Sequence, residues 1–229
     1  MARDDDSTAP APAPAGPLPM SEIRQRFKQG KAELLDHFRE ARPTVISASR
    51  LMKALARHVD TTLAQLWHQA ALPSQAALIA VGGYGRGELF PYSDVDVLVL
   101  LPEAQARDEA VKSAVSDFIT ACWDVGLEIG SSVRTLAECI TEAKADVTVQ
   151  TALLESRLLC GTRKVYKQFA DRTLASVEPE GFLRAKTLEM RQRHEKYEDT
   201  PYALEPNSKE SPGGLRDRSE EHTSELQSH

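Results

Sequence analysis

Residues 77–101 read ALIAVGGYGRGELFPYSDVDVLVLL. An apolar run from Ala77 to Val81 stops at the pair Gly82 and Gly83. A short polar stretch carrying Arg86 and Glu88 follows, and Pro91 precedes Ser93-Asp94-Val95-Asp96 at the mouth of a second apolar run, Val97 to Leu101. Both runs are short, bounded by turn residues and rich in Val, Leu and Ile, which predicts two strands. On a strand, residues two apart project from the same face, about 6.6–6.8 Å apart along the axis. Asp94 and Asp96 therefore project together, while Val95 and Val97 turn into the other layer. Two ionised carboxylates so placed repel unless something positive sits between them. A hard divalent cation such as Mg²⁺ suits them, because it takes oxygen ligands and keeps substrate phosphate oxygens in its shell. Two such ions about 3.5–4 Å apart could share the pair and clamp both sides of an in-line displacement.

The glycines supply the other half of the pattern. Gly82 and Gly83 can adopt positive φ and let backbone N–H groups approach an anion with no Cβ in the way. The segment after them is expected to open a short helix whose N-terminus favours phosphate. Arg86 is placed to add a charge-assisted contact to a triphosphate. Other glycine motifs fail: no Gly-Lys-Ser/Thr follows, so this is not a P-loop, and Glu88 stands where the third glycine of a dinucleotide-binding fingerprint belongs. A glycine pair alone marks a turn, and acids at strand ends are common. Together, about ten residues apart between two apolar strands, they point to a nucleotide-and-metal site.

Outward from this stretch, most of the chain reads as helices. Ile23, Phe27, Leu34, Leu35 and Phe38 recur at helical spacing between Ser21, a plausible start, and Pro43. A second helix is expected over residues 45–71, with Leu51, Leu55, Val59, Leu63, Leu66 and Trp67 on one face. His37, His58 and His68 fall in these helices without ligand spacing to one another, which assigns them packing or surface roles. Residues 104–125 are expected to form an amphipathic helix bearing Val111, Val115, Phe118, Ile119, Cys122 and Trp123. Residues 127–135, LEIGSSVRT, read as a strand with Leu127, Ile129 and Val133 in the core. Residues 136–145 and 146–160 read as helices, the second carrying a stripe of Val149, Leu153, Leu154 and Leu158 and stopping at Gly161. Helices at 165–174 and 180–196 follow, and residues 201–217 are a loop by composition.

The ends differ in kind. Residues 1–20 hold Asp4-Asp5-Asp6 and an Ala-Pro repeat that cannot donate a regular hydrogen-bond ladder, which predicts a disordered leader. Residues 218–229, RSEEHTSELQSH, read as an in-frame translation of a sequencing-library adapter, so natural sequence is expected only as far as Asp217 and the chain is expected to be a fragment of a protein that continues beyond it. The expected division is a leader (1–20), an N-terminal helical segment (21–72), a core holding the glycine pair and the two acids (73–162), the start of a helical associated domain (163–217) and the adapter-derived tail (218–229).

With 41% hydrophobic residues the chain can build a core, and a net charge of −6 argues against a nucleic-acid binder held by a basic surface. No apolar run of about 18 residues occurs, which excludes a membrane-spanning helix. The N-terminus lacks the apolar region of a secretory signal. Three widely spaced cysteines, Cys122, Cys139 and Cys160, fit neither a zinc pattern nor a disulfide framework and suggest a reducing cytoplasm.

The stretch GGYGRGELFPYSDVD resembles the signature of the polymerase-β-type nucleotidyltransferase superfamily, a glycine pair followed by D-x-D. More narrowly, with LEIGSSVRT (127–135), TALLESRLLCG (151–161) and Y-x-LEPNSKESPGGLRD (202–217), it resembles the N-terminal domain of the bacterial PII uridylyltransferase/uridylyl-removing family over residues 21–217. The resemblance implies an α/β (α+β) polymerase-β-like fold, a small mixed sheet flanked by helices with extra helices at both ends. It implies transfer of UMP from UTP to a tyrosine of the PII nitrogen regulatory protein, with release of pyrophosphate. By match to the motif, Asp94 and Asp96 would be the catalytic pair holding Mg²⁺, and Gly82, Gly83, Arg86 and Ser93 would bind nucleotide. A tyrosine hydroxyl, of ordinary pKa about 10, must lose its proton in such a transfer.

Superfamily members commonly use a third carboxylate. Glu128 is the nearest candidate, although strand alternation is expected to turn it away; Asp146 and Glu155 are alternatives, and the position stays open. The family usually has His where this chain has Ser131. The metal-dependent HD domain that removes UMP and the ACT domains that sense glutamine in the family have no counterpart here. Adenylyl transfer by the same fold, or a nucleotide-binding fragment without turnover, are the competing readings.

Overall fold

A computed structural model describes residues 17–197 and 207–217. At its centre lies a four-stranded mixed sheet in the order β3-β2-β1-β4, comprising β1 (Ala77–Ala80), β2 (Val95–Leu100), β3 (Ile129–Arg134) and β4 (Arg157–Cys160). The two apolar runs of residues 77–101 pair antiparallel, from Ala77 opposite Leu100 to Ala80 opposite Val97. β3 lies parallel to β2 on one edge, and β4 lies antiparallel to β1 on the other. Every residue of β1 is fully buried. A strand covered on both faces has no solvent side, which is why its sequence is continuously apolar.

The helices are α1 (Met20–Glu40), α2 (Val45–Gln69), α3 (Gly82–Gly85), α4 (Glu109–Val125), α5 (Leu136–Ala145), α6 (Val147–Leu154), α7 (Arg163–Ala175) and α8 (Pro179–Lys196). On one face of the sheet, Phe27, Leu63 and Phe118 of α1, α2 and α4 pack against Leu78, Val97 and Val99. On the other, Cys139, Leu153 and Phe169 of α5, α6 and α7 pack against Ile79, Leu98 and Leu100. The alternation of Val97 and Leu98 between these two clusters is the period-two pattern of a central strand. Removing a buried side chain such as Leu78 or Leu98 costs about 2–5 kcal/mol. The result is the expected small mixed sheet flanked by helices, with further helices before and after it.

Several expectations are corrected. Residues 146–160 are not one helix: α6 ends at Leu154, Glu155 leaves helical geometry (φ −87°, ψ 65°), and residues 157–160 form β4. A four-residue apolar run has no periodicity to separate strand from helix, and the exposed edge of β1 decides for strand. Leu158 thus reaches its core cluster from a strand, and Gly161 ends β4 rather than a helix. Val133 is exposed, because β3 is an edge strand. Trp123 is 62% exposed, off the buried stripe of α4. That helix starts at Glu109 under an Asp108 cap, with a separate 3₁₀ turn before it. α1 starts at Met20 after Pro19, with no side-chain cap from Ser21.

His58 plays the expected packing role: its ring stacks on Phe27 at 5.4 Å and Nε2 bonds the Phe27 carbonyl at 2.8 Å. The cysteines are free and buried. Burial pushes the Cys122 thiol up to about 12. No described helix is long and apolar enough to cross a membrane. Residues 1–16, 198–206 and 218–229, which carry most of the predicted leader, part of the 201–217 loop and the adapter-like tail, lie outside the described residues.

Candidate active site

Asp96 is the second residue of β2 and the one exposed position in a strand otherwise buried. Asp94 is exposed just before the strand. Across the parallel ladder Asp96 faces Gly130 of β3. A Cβ on Gly130 would come within 2.5 Å of the Asp96 Oδ1. Only glycine leaves that carboxylate its place. The other oxygen, Oδ2, lies 3.9 Å from where a Cβ of Gly82 would stand. One carboxylate is thus held between the glycine turn and the neighbouring strand. Burial, and then the like charge of Asp94, raise Asp96 above the ordinary carboxylate value.

The glycine turn follows β1 directly. Gly82 has φ +58°, the left-handed region that glycine enters without penalty; Gly83 does not share it. Both glycines lie inside α3 rather than before it, and α3 is a single turn. The N–H groups at its end are used locally, Gly85 to Val81 at 3.1 Å and, just past the helix, Gly87 to Tyr84 at 3.0 Å. The leading N–H groups of a helix have no intrahelical partner, and here these belong to Gly82 and Gly83. Ser93 is exposed, with its N–H on the Phe90 carbonyl at 3.2 Å, in the turn that delivers Asp94. Arg86 stays beside the turn, its Nη2 3.5 Å from the position of a Gly83 Cβ, but its Nη1 pairs with Glu155 at 2.5 Å.

That pairing bears on the third carboxylate. Glu155 is engaged with Arg86, and Asp146 caps α6 by accepting from the Thr148 N–H at 2.7 Å. Glu128 lines the same surface cavity as Asp94. Its carbonyl accepts from the Val95 N–H at 2.8 Å. Glu128 lies just before β3, outside the strand whose alternation would orient its side chain.

Two groups at the site have no signal in the motif. The first is a network beneath the glycine turn. Tyr84, fully inside α3, donates its hydroxyl to Asp60 of α2 at 2.5 Å. Arg157 of β4 grips the same carboxylate with both Nη atoms, at 2.8 and 3.0 Å. Its guanidinium lies 5.4 Å from the Tyr84 ring centroid. Burial and the Asp60 carboxylate push the Tyr84 hydroxyl well above its ordinary value, so it stays a donor. The second is Lys209, close enough to Asp96 to favour its charged form. It stands on a turn pinned to α8 by the buried Arg193, which donates to the Glu210 carbonyl at 3.2 Å and to Asp217 at 2.8 Å. A lysine 113 positions after Asp96 has no periodicity to announce it (209 − 96).

Among the described residues, no group of three or more His, Cys, Asp or Glu side chains is arranged to hold a metal ion. The site therefore offers two carboxylates, not a full protein cage. That donor set fits Mg²⁺, which completes its octahedron with water and substrate phosphates, and does not fit a structural zinc site.

Residues 62–157 match the family model described as a nucleotidyltransferase domain, and residues 181–219 match that of the GlnD PII-uridylyltransferase. With the mixed sheet and the glycine turn facing D-x-D, the chain contains a nucleotidyltransferase domain. It is 53% identical over 203 residues to the bifunctional uridylyltransferase/uridylyl-removing enzyme of Burkholderia thailandensis, covering 89% of this chain and 23% of that protein. The enzyme of the same name from Cupriavidus pinatubonensis is 54% identical over 195 residues, covering 85% and 22%. The chain belongs to this uridylyltransferase family, and it spans less than a quarter of the length of these relatives. A crystal structure of a toxin-antitoxin with AMP-PNP aligns at a TM-score of 0.34 and 16% identity, over 61% of this chain and 96% of that one, too distant to bear on the site.

Proposed function

We propose that this chain carries the UMP-transferring site of a PII uridylyltransferase, moving UMP from UTP to a tyrosine hydroxyl of PII and releasing pyrophosphate. The observation that carries the reading is the single carboxylate of Asp96 placed between Gly82 and Gly130 with Asp94 beside it. Asp94 and Asp96 would hold Mg²⁺, and the N–H groups of Gly82 and Gly83 would take the triphosphate. Bound Mg²⁺ supplies positive charge to the phosphates and lowers the cost of charge developing on the leaving pyrophosphate. The protein itself contributes position: the glycine turn, braced by Asp60 and Arg157, fixes the phosphates relative to the acidic pair. Arg86 would add its charge at the rim from its ion pair with Glu155, and Ser93 would line the approach. The core and helical segment divide near residue 162, with residues 163–217 opening an associated domain. Uridylyl removal and glutamine sensing are not assigned to this chain, and the setting is the cytoplasm.

Calorimetry of UTP binding with and without Mg²⁺ tests the site. The expected outcome is metal-dependent binding that Asp94→Asn and Asp96→Asn each abolish, with ATP binding more weakly than UTP. Equal affinity with and without metal would remove the assignment, and a preference for ATP would move the reading to adenylyl transfer.

A further inference from the structure

The two oxygens of the Asp96 carboxylate have different neighbours. Oδ2 faces the glycine turn, and Oδ1 faces Gly130. On the Gly130 side the surface opens into a broad cavity of about 490 Å³ bounded by Asp94, Trp123 and residues 126–130, Glu128 among them. Gly126, in left-handed geometry at φ +98°, ends α4 and turns the chain sharply into β3, which brings Trp123 and Glu128 to one rim. Among the described residues, no basic side chain lines this cavity. Its two carboxylates make it hostile to phosphates and compatible with a neutral hydroxyl-bearing ring. Trp123, 62% exposed beside a buried helix face, leaves an indole there largely uncovered by the described residues.

In-line displacement requires the entering oxygen and the leaving group to lie on opposite sides of the reacting phosphorus. If the glycine turn holds the triphosphate on one side of Asp96, as proposed above, the acceptor must come from the other. We infer that the cavity walled by Asp94, Trp123 and Glu128 is the acceptor subsite, admitting a tyrosine-bearing loop of the protein substrate, with the Trp123 indole as its apolar anchor. This rests on the uridylyl-transfer reading of the site. In the step, the phenolic oxygen forms a bond to the α-phosphorus of UTP as the bond from that phosphorus to the pyrophosphate oxygen breaks. The electron pair leaves on pyrophosphate and the phenolic proton passes to solvent water. The volume exceeds what one side chain fills and falls in the range of about 300–1,000 Å³ typical of ligand sites, which suits a loop tip. An exposed tryptophan lining such a surface is the residue type that anchors protein contacts.

Transfer of labelled UMP from UTP to purified PII tests this, in a chain extended to the length of its relatives and carrying Trp123→Ala or Trp123→Phe. Trp123 is exposed, so neither change threatens the fold. The expected result is a KM for PII raised about tenfold by alanine, a KM for UTP unchanged, and most of the loss restored by phenylalanine. A raised KM for UTP with that for PII unchanged would give the cavity to the nucleotide and overturn the proposal. So would no change in either constant. Wild-type protein that transfers nothing to PII would instead overturn the uridylyl reading itself, an outcome read before any variant is compared.

Discussion

Asp60 and Asp96 reach the glycine turn from opposite faces of the sheet and meet opposite surroundings. Asp60, from the layer of α1, α2 and α4, receives two bonds from Arg157 and one from the Tyr84 hydroxyl. Asp96, on the face of Leu98 and Leu100, meets a like charge at Asp94, a glycine opposite and the weaker opposing charge of Lys209. A carboxylate whose partners are all supplied by the fold stabilises the fold; removing one partner exposes the rest to an uncompensated charge. A carboxylate left with repulsion is costly to the fold and is useful only when something outside the chain neutralises it. The contrast separates scaffold from site without reference to any motif.

The largest effect should follow from Asp96→Asn. Loss of that charge is expected to lower UMP transfer by about 100-fold or more, the scale seen when one preorganised electrostatic group is removed. The same change should raise stability in metal-free buffer. The folded protein holds Asp96 above its unfolded value, so between the two values the fold binds more protons and loses stability as pH rises through that window. Thermal melts of wild type and variant at neutral pH check the sign. A lower melting temperature for Asp96→Asn would place Asp96 with Asp60 among the structural carboxylates.

Asp60→Asn should behave in reverse. Its ion pair is a quarter to a third exposed, 26% for Asp60 and 33% for Arg157. That sets the expected loss at about 1–3 kcal/mol of stability, between exposed and buried pairs. UTP affinity should fall less than in Asp96→Asn and keep its dependence on Mg²⁺. Urea unfolding and calorimetry together check this, since a variant of full stability but no metal-dependent binding would put Asp60 in the site itself.

Gly130→Ala comes next. The added methyl would stand 2.5 Å from the Asp96 Oδ1, and the carboxylate, being partly exposed, can turn aside. The fold should survive, while the displaced oxygen lowers metal-dependent UTP affinity about tenfold. Unchanged affinity would mean that the position of Asp96 between the two glycines is not what the site requires.

The contrast also marks how far the residues alone could be read. The strands of residues 77–101 were legible because both are continuous apolar runs ended by turn residues, and the pairing of Asp94 with Asp96 followed from strand period. β4 was not legible, because Arg157, Leu158, Leu159 and Cys160 acquire strand character only from the free edge of β1. Trp123 fits the helical stripe of α4 on paper, yet it is exposed while its neighbour Cys122 is buried. The packing of Tyr84 onto Asp60 and Arg157 joins three elements 24 and 97 positions apart in sequence, a contact no local pattern encodes. Thr135 and Glu138, by contrast, form a capping box at α5 that local spacing does announce.

The smallest effect concerns a third carboxylate, Asp217, which belongs with Asp60. Burial alone would raise it, but hydrogen bonds from Arg193, from His194 and from the Gly213 N–H outweigh that and hold it below its ordinary 3.8. A group depressed in the fold contributes stability that is complete above its unfolded value and is lost as pH falls through the folded one. The clasp of residues 207–217 on α8 should therefore hold at neutral pH and loosen only in acid below that ordinary value. The Gly213 amide resonance reports it directly, because its N–H donates to Asp217 Oδ2 at 2.7 Å. Its titration midpoint should fall below 3.8, while the carboxyl resonance of Asp96 should titrate above 3.8, the two shifting in opposite directions from one reference. Asp217→Asn should erase the Gly213 transition and leave that of Asp96 above 3.8. Midpoints in the reverse order would dissolve the distinction between carboxylates that the fold satisfies and those it leaves for a ligand.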